Sequence, residues 1–385
     1  MKQKLLVISY ALPIRNTGTP VVVRKFLENF EREEIVLMGR PVKKHERVSD
    51  YRLHYPFSLI PTPPVEARGE KLWRVITVIF GTILGLFLIL KIKPTGILAF
   101  YRDETSLLTG YILNRITRVP LYSYFCDLYH ENYSKGFYRT LANWLQPKIF
   151  ERSKKIFVLT EGIKEYYLQR YGIQSEVIPH CINEPVKPKP VSVNLNYPLK
   201  IGYLGSINKD RISSLRMLCA AIKNDGKYQL IYLTSTPENI ISKAGLLIPN
   251  SIVKHIPADS QLEEEIDKCD ILYLPQTITN ERDPRWFQLL TGLPTKTINY
   301  LISGKPILVH THLEYFLAIF FDKHHCGLVI QGGTTELMIA LEQLASDYNL
   351  RNELSEGCIN ACEYFKGSLV ANRFLYAIDQ KTDIS

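Results

Sequence analysis

The chain has no Asp-x-Asp triplet, no Cys-x-x-Cys pair, and no repeated or compositionally biased stretch. Seven cysteines, an odd number spread from Cys126 to Cys362, make neither a disulfide framework nor a zinc site, and they suit a reducing cytosol. Cys358 and Cys362 would share one helix face as core residues. Without low-complexity segments, and with 46% hydrophobic and 22% charged residues, the chain reads as folded throughout, with disorder confined to linkers. It also lacks an excess of acid. The formal charge of +9 favours anionic partners, but the basic residues are scattered, with no basic helix, zinc-finger spacing or RNA-binding aromatic motif, so nucleic acid is not expected. No small-residue cleavage site follows the apolar LLVISYAL near the start, which reads as a first buried strand and not as a signal peptide.

What is present is length and alternation. At 385 residues two domains are expected, each able to bury its own core. Short apolar runs at Lys4–Tyr10, Glu34–Met38, Gly96–Phe100, Pro120–Phe125, Lys155–Leu159 and Glu176–Pro179 alternate with segments of helical spacing such as Val21–Phe30, Thr105–Thr117 and Thr160–Tyr171. The pattern restarts at Leu199–Leu204, Tyr228–Thr234, Ile252–Ile256, Ile271–Leu274, Pro306–His310 and Gly327–Ile330. Both halves therefore read as α/β, doubly wound parallel sheets facing a cleft. The proline-rich VKPKPVSVNLNYP separates them, giving a first domain over 1–185, a linker over 186–198 and a second domain over 199–367. The last stretch, Glu336–Ile378, is helical in pattern with breaks expected at Gly357 and Gly367, and a final helix over about 368–385 can return to the first domain.

Val75–Leu90 is sixteen residues without a charge, bounded by Lys71 and Arg74 before and Lys91 and Lys93 after. It falls short of the roughly 20 residues that cross a bilayer. A buried crossover helix and an interfacial helix, giving peripheral membrane contact through 71–93, remain open as readings.

Ligands in parallel sheets bind beyond the carboxyl ends of the strands, which selects the candidate residues. After the first strand stand Thr17, Gly18 and Thr19. After the strand Leu121–Phe125 stand Asp127, His130 and Glu131, which can hold hydroxyls or take a proton. In the second half, LKIGYLGSINKDR runs a strand into Gly205 and Ser206, where backbone can approach a diphosphate, with Lys209 and Arg211 to neutralise it. Leu293–Thr311 then offers Thr295, Lys296 and a short helix over Thr297–Ser303 with the lysine in its first turn; a lysine there opposes the helix dipole unless an anion binds.

The segment PTKTINYLISGKP resembles the P-[ST]-K-x-x-E-Y-x-x-x-G-K-P signature of the retaining glycosyltransferases of family 4, the bacterial surface-polysaccharide type with the GT-B fold. KLLVISYALP, DLYHEN, SKKIFVLTEGIKEYY, VIPHCIN, KIGYLGSI and GLVIQGGTTELMIALEQL resemble further family segments in the same order. The resemblance implies transfer of a sugar from a nucleotide-diphosphate donor, with retention, to a lipid-linked or saccharide acceptor, on the cytoplasmic side and peripheral at the inner face of the cell membrane. It implies no metal or other cofactor, which fits the missing Asp-x-Asp. It implies donor contacts from Gly205, Ser206, Lys209, Arg211, Thr295 and Lys296. The family's two second-lobe glutamates fall here at Thr291 and Asn299, and Cys126 stands where many members carry histidine. Asn299 can accept one hydrogen bond but offers no anionic oxygen. A catalytically weak nucleotide-sugar-binding subunit is therefore the alternative.

Overall fold

A computed structural model describes residues 4–14, 18–41, 53–60, 69–186, 190–256 and 259–380. The chain divides into two compact units, 1–183 with 365–385, and 184–364.

In the first unit the strands are β1 (Leu5–Ala11), β2 (Ile35–Arg40), β3 (Phe57–Leu59), β4 (Gly96–Tyr101), β5 (Leu121–Phe125), β6 (Ser153–Val158) and β7 (Glu176–Val177). They form a parallel sheet in the order β3-β2-β1-β4-β5-β6-β7. The helices between them are α1 (Thr19–Leu27), α2 (Glu70–Ile92), α3 (Glu104–Thr117), α4 (Phe137–Arg152) and α5 (Glu161–Tyr171). Every residue of β4 and β5 is buried, as expected for strands covered on both faces, and this is why they read as unbroken apolar runs instead of alternating ones. The helix starts are set by side chains: Asp103 accepts from the Thr105 N–H at 3.1 Å, and the Thr160 hydroxyl accepts from the Ile163 N–H at 3.1 Å.

The second unit holds β8 (Leu199–Leu204), α6 (Ile212–Ile222), β9 (Tyr228–Thr234), α7 (Glu238–Lys243), β10 (Ser251–His255), α8 (Asp259–Asp267), β11 (Ile271–Pro275), α9 (Trp286–Thr291), α10 (Thr297–Ile302), β12 (Ile307–His310), α11 (Phe316–Lys323), β13 (Leu328–Ile330), α12 (Thr334–Ser346) and α13 (Tyr348–Tyr364). Its parallel sheet runs β10-β9-β8-β11-β12-β13. Both sheets thus follow the Rossmann order, and each reverses direction between its first and fourth strands, at β1/β4 and at β8/β11, where such folds place ligands. Buried Arg351 on α13 donates to the carbonyls of Leu344 and Ala345, at 2.8 and 3.0 Å, and of Ser192 and Val193, at 2.9 and 2.7 Å. One guanidinium thereby closes the end of α12 and fastens the incoming chain to it.

The last helix, α14 (Gly367–Asp379), belongs to the first unit. Its Phe374 meets Phe26 of α1 at 5.1 Å and Phe157 of β6 at 4.8 Å between ring centroids. One expectation is corrected here. Gly357 does not break the helical stretch but lies inside α13, where a Cβ would come within 2.0 Å of the His325 carbonyl oxygen. The breaks fall at Asp347 and just before Gly367, and the glycine serves close approach of α13 to the turn at His325.

Candidate functional site

The end of β8 is organised by the signature segment. Gly205 holds a φ of 122°, a conformation that L side chains rarely adopt, and the Lys296 side chain lies across it: a Cβ at 205 would sit 1.9 Å from Lys296 Nζ. On the next turn Tyr300 is fully buried; its hydroxyl accepts from the Leu204 N–H at 2.9 Å and donates to the Tyr273 carbonyl at 2.8 Å, joining β8 to β11 at the reversal point. Burial raises that phenol's pKa well out of its usual range. Lysine and tyrosine four residues apart on α10 therefore share one task, fixing the strand end and placing a cation on it. The helix is shorter than expected, six residues, with Lys296 at its N-cap and not in its first turn.

The Lys296 ammonium is half-buried, and desolvation together with the neighbouring Arg211 charge pulls its pKa down to about 8. Among the described residues neither Lys296 nor Arg211 has a carboxylate partner, and the Arg211 guanidinium makes only a 3.2 Å bond to the Asp210 carbonyl. Two cations held together without an anionic partner leave positive charge at the strand end that a carboxylate or phosphate group would neutralise. The loop carrying them is braced from the other side of the sheet reversal. Arg285 Nη1 donates to the Lys209 carbonyl at 2.8 Å and to Asp210 Oδ1 at 3.1 Å, and the Thr277 N–H donates to the Asp210 carbonyl at 2.7 Å. Asp283 is occupied by the same arginine, whose charge and hydrogen bonds hold the Asp283 carboxyl down at about 2. The Lys209 side chain and Ser206 are exposed, and Thr295 and Asn299 are half-buried. Thr291 is buried and its hydroxyl donates back to the Phe287 carbonyl at 2.9 Å.

In the first unit Asp127 stands two residues beyond β5. Burial raises its pKa to about 6, an effect that the charge of Arg102 partly offsets. His130 and Glu131 sit on the following turn and face α5: Glu131 Oε1 accepts from the Tyr171 hydroxyl and, at 3.2 Å, from the Tyr166 hydroxyl, while His130 Nδ1 lies 3.4 Å from the same oxygen. Glu131 Oε2 and His130 Nε2 are buried without a partner among the described residues. Arg139 fastens the turn by donating to the carbonyls of His130 and Tyr133 at 2.8 and 2.9 Å. The three residues are thus brought to one strand end, with Asp127 lacking the tyrosine contacts that occupy Glu131. Thr17 lies outside the described residues; Gly18, with a φ of 69°, is the N-cap of α1, and Thr19 opens that helix.

Sequence reasoning missed Tyr300, Arg285, Tyr166 and Tyr171. Tyr300 stands inside the signature and two of the others in the TEGIKEYYLQRY run, but their partners are distant in sequence and only the fold brings them together. Among the described residues no group of three or more His, Cys, Asp or Glu side chains is arranged to hold a metal ion.

No protein-family model matches the chain, and no curated protein matches it either. Solved structures do. Sucrose-phosphate synthase from Thermosynechococcus elongatus superposes with a TM-score of 0.73 at 14% identity, covering 98% of this chain and 100% of that one. HepE of Anabaena in complex with UDP-glucose gives 0.68 at 12% identity, covering 97% and 99%. The lipopolysaccharide outer core galactosyltransferase WaaB in its apo form gives 0.65 at 13% identity, covering 98% and 99%. Along essentially its whole length the chain has the two Rossmann-like domains of the GT-B fold.

Proposed function

We propose that this chain is a metal-independent, retaining glycosyltransferase that moves a sugar from a nucleotide diphosphate to a lipid-linked or oligosaccharide acceptor in cell-surface polysaccharide synthesis, working in the cytoplasm at the inner membrane face. The observation that carries the reading is the uncompensated pair Lys296 and Arg211 beside Gly205, a place where backbone and two cations can meet a diphosphate. The likeness to a structure solved with UDP-glucose and to lipopolysaccharide-building transferases supports it. The bond from the anomeric carbon to the diphosphate breaks, the acceptor oxygen bonds to that carbon, and the acceptor's proton passes to Asp127. The departing diphosphate's charge is met by Lys296 and Arg211, with Lys209, Ser206 and Thr295 as further donors and Asn299 toward the ribose. His130 and Glu131 shape the acceptor side.

A panel of UDP-, GDP-, dTDP- and CMP-sugars with membrane lipid acceptors tests this. Nucleotide release and a product of retained anomeric configuration by proton NMR are expected, and Lys296→Ala should weaken nucleotide binding by about tenfold or more. Failure of release with every donor would remove the reading. Thr291 favours a second one, a nucleotide-sugar-binding subunit of low turnover, because its hydroxyl is spent on its own helix. That reading expects nucleotide binding by calorimetry without release, and a gain on Asn299→Glu.

A further inference from the structure

The helix α2 runs 23 residues, about 34 Å at the usual rise, long and apolar enough by length and composition to cross a membrane. Its two sides differ. Val78, Leu88 and Ile89 are buried, Leu84 and Leu86 pack on the core of the first unit, and Gly85 lets α3 come so close that a Cβ would lie 2.5 Å from Leu113. Arg74, on its second turn, is tied to Glu104 and lies 3.9 Å from Asp103, both buried carboxylates at the start of α3. A helix held this way by one side and by an interior ion pair does not leave the domain to span a bilayer.

The other side is bare. Leu72, Val75, Ile79, Ile83, Phe87 and Leu90 recur at helical spacing as one stripe, and Ile83, Phe87 and Leu90 are 60%, 59% and 78% exposed. The start of α4 adds exposed Phe137 beside Lys71, and further along α4 Trp144, edge-on to Tyr111 of α3, is exposed as well. Cations sit on these rings: Lys71 Nζ is 5.1 Å from the Phe137 centroid, Lys148 Nζ 5.2 Å from Trp144 and Lys91 Nζ 6.0 Å from Phe87. From Lys71 to Lys93 the sequence has four cations and no acid. Arg74 is taken up by the interior pair, which leaves exposed Lys71, Lys91 and Lys93; a second copy laid on this face would bring these lysines against lysines with Glu70 the helix's single acid, whereas phosphate headgroups would receive all three.

We infer that the outer face of α2, with Phe137 and Trp144, docks flat on an anionic lipid bilayer, apolar stripe in the acyl boundary and lysines at the headgroups. It also reaches the acceptor site. Arg74 stacks over Tyr138, 4.9 Å from its centroid, Tyr138 stacks on Tyr133 at 5.7 Å, and the Tyr133 hydroxyl donates to Glu104 at 3.3 Å, so the docked helix is continuous with the loop that carries Asp127. Delivery of a membrane-borne acceptor to that loop rests on the transferase reading; the docking does not.

Flotation of the full chain with vesicles is the test, with no donor sugar present. The protein should float with vesicles of phosphatidylglycerol and phosphatidylcholine in equal parts, about tenfold more weakly with phosphatidylcholine alone, and less in high salt. The variant Ile83→Gln, Phe87→Gln, Leu90→Gln should lose about tenfold or more of the binding at an unchanged Tm, since these side chains are exposed. Wild type left behind by anionic vesicles, equal flotation of the variant, or resistance to carbonate extraction would overturn the inference. So would a wild-type dimer that the variant turns monomeric. Turnover enters none of these readouts, so an inactive transferase that still floats separates the two claims.

Discussion

Asp127 is a carboxylate whose environment works against its charge. Burial lifts its pKa from 3.8 to about 6, so between those values the folded protein binds a proton that the unfolded chain has released, and stability falls as pH rises through that window. At neutral pH the ionised group therefore costs stability, which is what a residue kept for proton transfer does. Asp127→Asn should raise the urea midpoint at about pH 8 and leave it unchanged at about pH 3.5, below both values. If Asp127 takes the acceptor proton, wild-type kcat/KM rises with pH through about 6, and the variant loses that limb and roughly 10²–10⁴-fold of the rate. A stabilised variant with full activity would make the residue structural. At this scale the sequence disclosed where chemistry could sit, because strand ends can be read from apolar runs. It did not disclose the division of labour: that Glu131 is taken up by Tyr166 and Tyr171 while Asp127 is not depends on a helix some thirty-five to forty residues further along.

Burial on both faces made the inner strands the most legible elements. The inner strands announced themselves as continuous apolar runs, whereas β3 went unread, being three residues at a sheet edge with both end residues exposed. The helix that contains Val75–Leu90 buries one side against the first unit's core and exposes the other, a distinction that composition cannot carry when both sides are apolar. The signature helix α10 shows the same limit. The sequence singled out its lysine, but not the Tyr300 hydroxyl that bridges β8 to β11. Tyr300→Phe keeps the ring and removes the bridge, leaving the buried Leu204 N–H unsatisfied at a cost of about 1–3 kcal/mol. Because Lys296 rides on the same short helix, nucleotide affinity should fall with it, and calorimetry with UDP alongside urea unfolding would detect both. Loss of stability without loss of affinity would show that the strand end is positioned by something other than this helix.

For the whole molecule, the two units are not two consecutive segments, and that has a consequence for how the chain must fold. The first unit contains α14, which arrives only after the entire second unit has been made. Phe374 fills a space bounded by the rings of Phe26, Phe30 and Phe157, and is itself almost completely buried. We propose that the returning helix is a structural part of the first unit, so that Phe374→Ala costs about 3–5 kcal/mol through the cavity it opens. Because the substitution touches only the first unit's core, urea unfolding should show that unit's step moving while nucleotide affinity, which the proposed function assigns to Gly205 and Lys296, stays as in wild type. A chain ending at residue 364 should retain nucleotide binding and lose a cooperative first unit, leaving the apolar surface around Phe26 and Phe157 open to solvent. Were that shortened chain to unfold in two full transitions, α14 would be an appendage, and the first unit would be complete without it.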